Sequence, residues 1–304
     1  MIEIDETKCT ACNLCASACI GGPIYEGPEV RDDGRTLCVE CGHCYAICPE
    51  GAITLTGFEG FQPHELPQTP PVDGPAMMTL LRGRRSGRMY KAEPVSREHV
   101  KEIIEAASLA PSAHNSHLTK AYVCYDEDAI SRIRDRAIRY YRRLVRFFEL
   151  PGFPFIWRLM SLDPEELEVL KYAFKGLWES DKNDDILLYG TKTLLSFTAP
   201  RRNAMALGDA WVAAQNAVDY AEAIEVSTCY NGFLIHAANH DKGLRKAMGI
   251  RSGEKVVAVL NLGYPRRRYR RAAPRRTMET TWTFSRERGT ERLRYHGTAS
   301  NPSS

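Results

Sequence analysis

The sequence CTACNLCASAC at residues 9–19 is matched at residues 38–48 by CVECGHCYAIC, and these two runs decide the fold of the N-terminal region. Each run has the spacing C-x2-C-x2-C-x3-C, and the second begins 29 residues after the first. An internal repeat of this kind predicts a duplicated half-module. The two-residue gaps let three thiols converge on one face of a tight turn, whereas the fourth cysteine begins a helical turn that points away from that face.

The spacing resembles that of bacterial-type ferredoxins, which hold two [4Fe-4S] clusters and in which the fourth cysteine of each run ligates the other cluster. The connection of 18 residues between the runs is longer than in the simplest ferredoxins, and no proline directly follows Cys19, whereas Pro49 follows the second run. The resemblance implies one cluster held by Cys9, Cys12, Cys15 and Cys48 and a second cluster held by Cys19, Cys38, Cys41 and Cys44.

Zinc and disulfide bonds are the alternative roles for these cysteines. Structural zinc sites usually draw on two separated C-x2-C pairs rather than on four closely spaced cysteines. Disulfides form in oxidising compartments, and the acidic, polar stretch from Met1 to Lys8 does not resemble a signal peptide. No apolar run approaches the ~18 residues of a membrane-spanning helix. We therefore expect a cytoplasmic protein with an iron–sulfur module.

Charge is distributed unevenly along the chain. The whole sequence has a net charge of +3, whereas residues 1–57 contain nine acidic and three basic side chains, which leaves −6 on the module and +9 on the rest. An acidic module on a basic body can dock within the chain or steer a basic redox partner. An ordinary solvated surface explains the same pattern equally well.

The length of 304 residues suggests about two domains. We assign residues 1–57 to the module, with Ile53–Leu55 as its closing strand, and residues 58–75 to a linker, because closely spaced prolines disfavour helix and sheet. Five prolines occupy this linker: Pro63, Pro67, Pro70, Pro71 and Pro75. The second domain is predicted over 76–276, with a helical insertion at about 128–190, and a C-terminal extension over 277–304.

Apolar periodicity in the second domain predicts an α+β fold in which helices cover a central sheet. The helix that Ser96 caps shows the clearest pattern, with apolar residues three and four positions apart. The predicted helices span 76–85, 96–110, 128–149, 164–180, 205–225 and one or two parts of 232–248, and the predicted strands span 120–125, 193–198, 226–230 and 256–262.

Four short motifs in this domain resemble the nitroreductase family of FMN-dependent enzymes in both order and spacing, over about residues 76–275. They are RRSGR at 84–88, PSAHNS at 111–116, CYNGF at 229–233, and the strand VVAVLNLG at 256–263 that runs into Tyr264-Pro265. The resemblance implies an oxidoreductase that forms a homodimer with FMN at the protomer interface. In such enzymes the flavin supplies the chemistry and the protein supplies the pocket and its electrostatics, so we assign no catalytic acid or base.

The resemblance also assigns residues to the flavin. Clustered arginines suit a phosphate dianion through charge-assisted hydrogen bonds, and Arg88 matches a position near the flavin N1/O2 edge. The loop with Asn115 matches one that reaches the flavin of the other protomer, and Gly232 lies in the segment that faces flavin N5, where glycine allows close approach. The candidate FMN residues are Arg84, Arg85, Ser86, Arg88, Ser112, His114, Asn115, Tyr230, Asn231, Gly232, Arg266 and Arg268, with Arg270 as a further candidate for the phosphate.

Each of these motifs also has an ordinary structural interpretation. Arg84–Arg88 alone is typical of a solvated helix end, Ser112–Asn115 of a turn, and the arginine-rich segment 266–276 of a solvated tail. The chain also departs from the family after Ser116, where His-Leu-Thr replaces the common Gln-Pro-Trp. This departure leaves the FMN prediction in place and weakens any analogy with the family's substrates.

The remaining cysteines and histidines are predicted to have structural roles. Cys124 lies in a predicted strand, and Cys229 precedes the predicted N5-facing segment without features of a nucleophile. His236 and His240 lie four residues apart on a predicted helix, and no third metal ligand is evident beside them. Packing or surface roles are therefore favoured for both histidines.

The predicted insertion contains an amphipathic helix. An apolar stripe from Ile130 to Phe148 lies opposite a basic stripe from Arg132 to Arg146, and the aromatic run PGFPFIW follows at 151–157. Such a helix can lie on an anionic membrane or accept an acidic partner, but packing over the active site or the dimer interface is favoured. Nucleic-acid binding is not expected, because no recognition module accompanies the arginines.

The combined prediction is an iron–sulfur flavoprotein oxidoreductase. Electrons would pass between the two [4Fe-4S] clusters and FMN to reduce an electron-poor organic acceptor of the nitroaromatic, quinone or activated-alkene class. The alternative is a redox-relay subunit that exchanges electrons with a protein partner and turns over no small molecule. The sequence leaves open the substrate, the direction of electron flow and the use of NAD(P)H, although no G-x-G-x-x-G turn is present.

Overall fold

The computed structural model describes residues 2–21, 24, 38–58, 64–69, 71–148, 185–276, 278–283 and 290–294. In the cysteine module, strand β1 (Ile2–Ile4) pairs with β2 (Ile53–Leu55) in antiparallel register. Helix α1 (Leu14–Ala18) follows the first turn of cysteines and α2 (His43–Ile47) follows the second. The predicted closing strand is confirmed at the expected residues.

The two cysteine runs have the same backbone path at an offset of 29 residues. Ala11 and Glu40 occupy equivalent positions, and both have left-handed φ angles, of 53° and 51°. Asn13 and Gly42 also match, with φ angles of 61° and 75° directly before α1 and α2. The sequence repeat is therefore repeated in the conformation of the chain, because the same tight turn must bring three thiols to one face.

The large domain contains one four-stranded antiparallel sheet, with the strand order β3-β4-β6-β5. Its strands are β3 (Lys120–Cys124), β4 (Thr193–Pro200), β5 (Ser227–Tyr230) and β6 (Glu254–Gly263). Its helices are α3 (Gly74–Gly83), α4 (Arg97–Ser108), α5 (Glu127–Phe148), α6 (Ala204–Ala223), α7 (Gly232–His240) and α8 (Lys242–Ala247), with a 3-10 turn at Ala113–Asn115. The predicted α+β fold is confirmed.

Helices cover both faces of this sheet. Helices α4 and α6 enclose one core, which includes Ile103 and Phe197, and α5, α7 and α8 enclose the other, which includes Ile133 and Leu234. The central strand β4 is buried from Thr193 to Ala199, because helices cover both of its faces. Across the described ranges, no helix is both long enough and apolar enough to span a membrane.

The start of α3 and the C-terminal segment differ from the prediction. Helix α3 begins at Gly74 rather than at 76, because the Asp73 carboxylate caps it by accepting the Ala76 N–H at 2.7 Å and Pro75 suits the first turn of a helix. Residues 279–283 and 290–294 form two antiparallel paired strands, β7 (Glu279–Thr283) and β8 (Thr290–Arg294), where the sequence predicts only an extension. The helix expected at 164–180 and the aromatic run at 151–157 lie outside the described residues.

Helix α5 packs on the body of the domain through its apolar stripe. Ile133, Ala137 and Tyr141 are fully buried, and the Tyr141 hydroxyl donates to the Phe233 carbonyl at 2.7 Å. On the basic side, the Arg136 guanidinium donates to the Asp241 carboxylate at 2.9 Å. These contacts favour the interpretation of α5 as a packed cover over its own domain.

Glu254 is the first residue of β6, and its buried carboxylate accepts hydrogen bonds from three side chains on β3 and β4. The carboxylate accepts hydrogen bonds from Lys120 at 2.8 Å, from Tyr122 at 2.8 Å and from Thr198 at 2.6 Å. Burial alone would raise the pKa of the Glu254 carboxyl, but these hydrogen bonds outweigh burial and hold the pKa below its ordinary value. The stabilisation is present above the unfolded-state pKa of about 4.3 and is lost as the pH falls through the folded-state pKa.

We expect Glu254→Gln to lower the free energy of unfolding by about 1–3 kcal/mol at pH 7, because the amide cannot accept from all three donors. The difference from wild type should shrink below about pH 4, where the wild-type carboxyl becomes protonated. Urea unfolding at neutral and acidic pH measures both effects, with Glu65→Gln at an exposed position as the control. A deficit that is equally large at both pH values would contradict the role of the charge.

Candidate functional site

The eight N-terminal cysteines line two separate cavities, and each cavity draws on both cysteine runs. The thiols near one another include those of Cys15 and Cys48 in one cavity and those of Cys44 and Cys19 in the other. The pKa values of Cys15 and Cys44 are raised, chiefly by burial and further by the neighbouring thiols. The first cavity is lined by Cys9, Cys12, Cys15 and Cys48, and the second by Cys19, Cys38, Cys41 and Cys44.

Each cavity offers four cysteines, and four cysteines are the number that one [4Fe-4S] cluster requires. Among the described residues, no group of three or more His, Cys, Asp or Glu side chains is arranged to hold one metal ion. None of the ten cysteines of the chain forms a disulfide bond in this structure.

The arginine motif at 84–88 is held against the edge of the sheet. Ser86 forms a parallel bridge with Thr228 of β5, and the Gly87 N–H donates to the Thr228 carbonyl at 2.8 Å. A side chain at Gly87 would overlap the Ser227 hydroxyl, so only glycine permits this close approach. The buried Tyr90 hydroxyl then donates to the Gly87 carbonyl at 2.5 Å. The backbone of the motif is therefore fixed before any ligand binds.

Arg88, Tyr230 and Gly232 border one cleft of about 350 Å³. The Arg88 guanidinium lies 5.6 Å from the centre of the Tyr189 ring. Burial raises the pKa of Tyr230 to about 12, so its phenol stays protonated and can donate. A side chain added at Gly232 would meet no atom within 4 Å, which leaves open space on the ligand side of this turn.

Asn231 lies beside this cleft, but its side chain is engaged within the protein. Its Oδ1 accepts the Leu234 N–H at 2.9 Å and thereby caps α7. Its Nδ2 donates to the Leu187 carbonyl at 2.8 Å and to Asn261 Oδ1 at 3.1 Å. A ligand in the cleft would therefore meet Tyr230 and Gly232 rather than the Asn231 amide.

Two of the other candidate arginines border a second cleft, of about 230 Å³. Arg85 and Arg268 line this cleft together with Glu222. Arg268 forms an ion pair with Glu225, and Arg85 donates to the Arg84 carbonyl at 2.6 Å. The backbone N–H of Arg266 donates to the Met89 carbonyl at 3.0 Å, so the tail and the arginine motif run side by side. Arg270 is exposed.

The loop at 112–117 borders a third cleft, of about 270 Å³, together with α4 and α6. Ser112 accepts the His117 N–H at 3.1 Å, and Asp209 of α6 accepts the Ala113 N–H at 3.1 Å. His114 is exposed, and Asn115 contacts the cysteine module, because its Nδ2 donates to the Glu40 carbonyl at 2.9 Å. Within one chain, this loop and the Arg88 cleft are therefore separate.

Several residues at the Arg88 cleft were not predicted. Tyr141, Tyr189 and His236 line it beside the expected motifs. The sequence position of His236, one helical turn after Gly232, weakly indicates that it lies at the same cleft. Tyr141 was predicted only as part of an apolar stripe, and no pattern marked Tyr189, whose left-handed φ of 56° belongs to a turn that the tertiary contacts hold.

The two remaining cysteines are buried, and the two predicted helix histidines lie side by side. Cys124 and Cys229 are buried, and burial raises the pKa of Cys124 to about 11. Burial likewise raises the pKa of the Cys229 thiol, although the Arg88 guanidinium opposes this effect. The His236 and His240 rings are 4.4 Å apart, and burial together with His240 lowers the pKa of His236. Neither cysteine is therefore primed as a thiolate nucleophile.

The fold and the clefts define an α+β domain whose ligand cleft lies at the β5 edge of its sheet, between an arginine motif and a glycine-containing turn. The chain belongs to the nitroreductase family: the model of that family matches residues 81–264. The body of the protein is accordingly a nitroreductase-family oxidoreductase domain.

Two characterised enzymes are similar to parts of this chain. A nitrobenzene nitroreductase from Ectopseudomonas oleovorans is 37% identical over 91 residues, which cover 29% of this chain and 37% of that enzyme. A 4-nitrobenzoate reductase from Nocardioides sp. (strain LMS-CY) is 29% identical over 203 residues, which cover 62% of this chain and 80% of that enzyme. The first alignment thus spans little more than a third of that relative.

A solved structure shares the fold. An iodotyrosine deiodinase bound to FMN and 3-iodo-L-tyrosine is 16% identical, with a TM-score of 0.50, and the match covers 68% of this chain and all of that one (100%). At this level of identity the likeness concerns the fold alone. The range that the family model matches begins at residue 81, after the cysteine module.

Proposed function

We propose that the protein is an iron–sulfur flavoprotein oxidoreductase that binds FMN in the cleft of Arg88, Tyr230 and Gly232. The observation that carries this proposal is the meeting of Arg88 and Gly232 at one cleft in a nitroreductase-family domain. Bound FMN would supply two-electron chemistry. Relatives of this fold include a deiodinase whose structure contains FMN.

The residues of the cleft have distinct roles toward the flavin in this proposal. Arg88 places a permanent cation where it favours an electron-rich, reduced ring over an oxidised one. Gly232 lines the cleft, and no protein atom lies within 4 Å of where its side chain would be, so the turn leaves open space for a planar ring. Tyr230 keeps its proton and can donate a hydrogen bond at the rim. Arg84, Arg85, Arg266 and Arg268 are the proposed phosphate ligands.

The proposed assembly is a homodimer in which two copies of α6 meet. This helix exposes Met205, Trp211, Val212 and Tyr220, which is an unusual amount of apolar surface for one helix. Trp211 packs on Tyr230 with ring centres 5.6 Å apart, so a partner on α6 would also cover the rim of the flavin cleft. In the dimer, the loop of Ser112, His114 and Asn115 is proposed to approach the flavin of the second protomer, with Asn115 contributing its backbone because Glu40 and His117 engage its side-chain amide.

The proposed cofactors of residues 1–57 are two [4Fe-4S] clusters with crossed fourth ligands. The two cavities lined by four cysteines each support this assignment. Bound clusters would supply one electron each, and two electrons match the capacity of one FMN. We propose residues 58–73 as a linker, 74–276 as the flavin domain, because α3 begins at Gly74, and 277–304 as an extension. Exposed cluster ligands such as Cys12 favour a reducing, cytoplasmic environment.

The proposed acceptor is an electron-poor organic molecule. The two similar enzymes are named for nitrobenzene and 4-nitrobenzoate, and reduction of a nitro group to a nitroso group takes two electrons and two protons and releases water. Quinones and activated alkenes belong to the same chemical range. The alternative is a relay that passes electrons to a protein partner, which the acidic charge of residues 1–57 favours.

Anaerobic purification followed by cofactor analysis and reoxidation tests this proposal. Iron and acid-labile sulfide should each approach about eight per chain, with one FMN, and nitrobenzoate should reoxidise the chemically reduced protein. Benzoate, which lacks the nitro group, is the matched control. Zinc in place of iron would refute the cluster assignment. Reoxidation by a protein carrier and by no small acceptor would select the relay.

A further inference from the structure

A hydrogen bond joins the cysteine module to the body of the protein. Asn115 Nδ2 donates to the backbone carbonyl of Glu40 at 2.9 Å. Glu40 lies between Cys38 and Cys41, in the turn that forms one wall of the second cysteine cavity. The contact therefore brings the Cys38 run, rather than the Cys9 run, to the loop at 112–117.

His117 fixes the orientation of the Asn115 side chain. The Glu40 carbonyl can only accept, so the Asn115 atom that faces it must be the amide nitrogen. The amide oxygen then faces His117 Nε2 at 2.8 Å, and this ring nitrogen must carry a proton and donate. The two contacts determine each other, since a flipped Asn115 amide would lose both hydrogen bonds.

The backbone on both sides of the contact is held in an uncommon conformation. Glu40, Asn115 and His117 have left-handed φ angles of 51°, 53° and 45°. Residues other than glycine keep such angles where the surrounding structure holds them, often at functional positions. On the body side, Ser112 and Asp209 supply that support through their hydrogen bonds to the loop.

We propose that Asn115 and His117 form a latch that docks the cysteine module on the flavin domain. The module is tethered by residues 58–73, so its effective concentration at the body is on the order of millimolar, and contacts with a combined dissociation constant below about 1 mM keep it docked. The charges of −6 and +9 on the two parts add a non-specific attraction. His117 acts as a positioning residue, since it orients Asn115 and does not touch the module itself.

The His117 ring donates to Asn115 and turns the amide nitrogen toward Glu40. The latch rests on the proposed function only in one respect, which is that the proposed function names the cofactors of the cysteine module. The docking contact itself involves residues of this chain alone.

Hydrogen–deuterium exchange on the full-length, anaerobically purified protein tests the latch. In His117→Ala and Asn115→Asp, the amides of residues 38–43 and 113–117 should exchange about tenfold faster, as expected for the loss of one hydrogen bond. The radius of gyration from X-ray scattering should increase in both variants. His117→Gln retains a donor and should restore slow exchange. Leu118→Ala, at an exposed neighbour in the same loop, is the matched control.

The outcomes separate the latch from the proposed function. Unchanged exchange at both sites in His117→Ala and Asn115→Asp would overturn the latch, as would equal acceleration in Leu118→Ala. Iron, sulfide and FMN are measured on the same samples. Missing cofactors in the wild-type protein would refute the proposed function, whereas the exchange data would still report on docking.

Discussion

The double variant Cys12→Ala/Cys48→Ala is expected to keep one iron–sulfur cluster, whereas Cys41→Ala/Cys48→Ala is expected to keep none. Cys12 and Cys48 line the same cavity although they belong to different runs, so removing both affects one cluster. Cys41 lines the other cavity, so its loss together with Cys48 damages both sites. Iron and acid-labile sulfide should fall to about four per chain in the first variant and to nearly zero in the second.

Ligation within each run would give the opposite pattern, because Cys41 and Cys48 would then share a cluster and Cys12 and Cys48 would not. The reciprocal variant Cys19→Ala/Cys41→Ala should keep one cluster if the fourth ligands are crossed. Cys124→Ala, which removes a buried thiol of β3, should keep both. Electron paramagnetic resonance of the reduced proteins counts the clusters independently of total iron.

Arg88→Ala is expected to weaken FMN binding by about 10- to 100-fold while leaving both clusters in place. The guanidinium borders the cleft with Tyr230 and Gly232, and loss of a charged hydrogen-bonding group costs roughly 1.5–3 kcal/mol. Arg84→Ala should also release flavin if Arg84 binds the phosphate. Fluorescence titration of the flavin-free protein with FMN measures both affinities, and iron analysis shows whether the clusters remain.

Arg97→Ala is the matched control for Arg88→Ala. The Arg97 guanidinium lies 5.7 Å from the centre of the Tyr125 ring, nearly the same arrangement as Arg88 over Tyr189 at 5.6 Å. Both substitutions remove one positive charge and one contact with a tyrosine, but Arg97 is not at the cleft. Full flavin retention in both Arg84→Ala and Arg88→Ala would refute the assignment of the arginine motif to FMN.

Much of the fold follows from local patterns. Helix α4 appears where Ser96 and the apolar spacing after it predict a helix, and its Ser96 hydroxyl accepts the His99 N–H at 3.1 Å. Strand β6 was predicted because a strand covered on both faces is a continuous apolar run. Strands β7 and β8 were not predicted, because their charged and polar residues lack the alternating pattern of a half-buried strand.

The motifs of the candidate site could be predicted from the sequence, but not which of their residues lie at the same cleft. The sequence pointed to Arg85 and Arg88 as one cluster, yet they border different clefts. The spacing of three residues between Arg85 and Arg88 does not predict on which side of the Ser86–Thr228 bridge each guanidinium lies. Asn231 lines the cleft, and its side chain caps α7 and bonds Asn261, a residue 30 positions away.

The sequence by itself determined the cysteine quartets, the order of helices and strands, and the family motifs, because spacing along the chain fixes local turns and periodic burial. The tertiary structure alone decided that Tyr189 joins Arg88 at the cleft and that Asn115 faces Glu40. These contacts join residues about 75 to 100 positions apart. Their geometry depends on how the sheet, the loop at 112–117 and the cysteine module pack together, which no local pattern encodes.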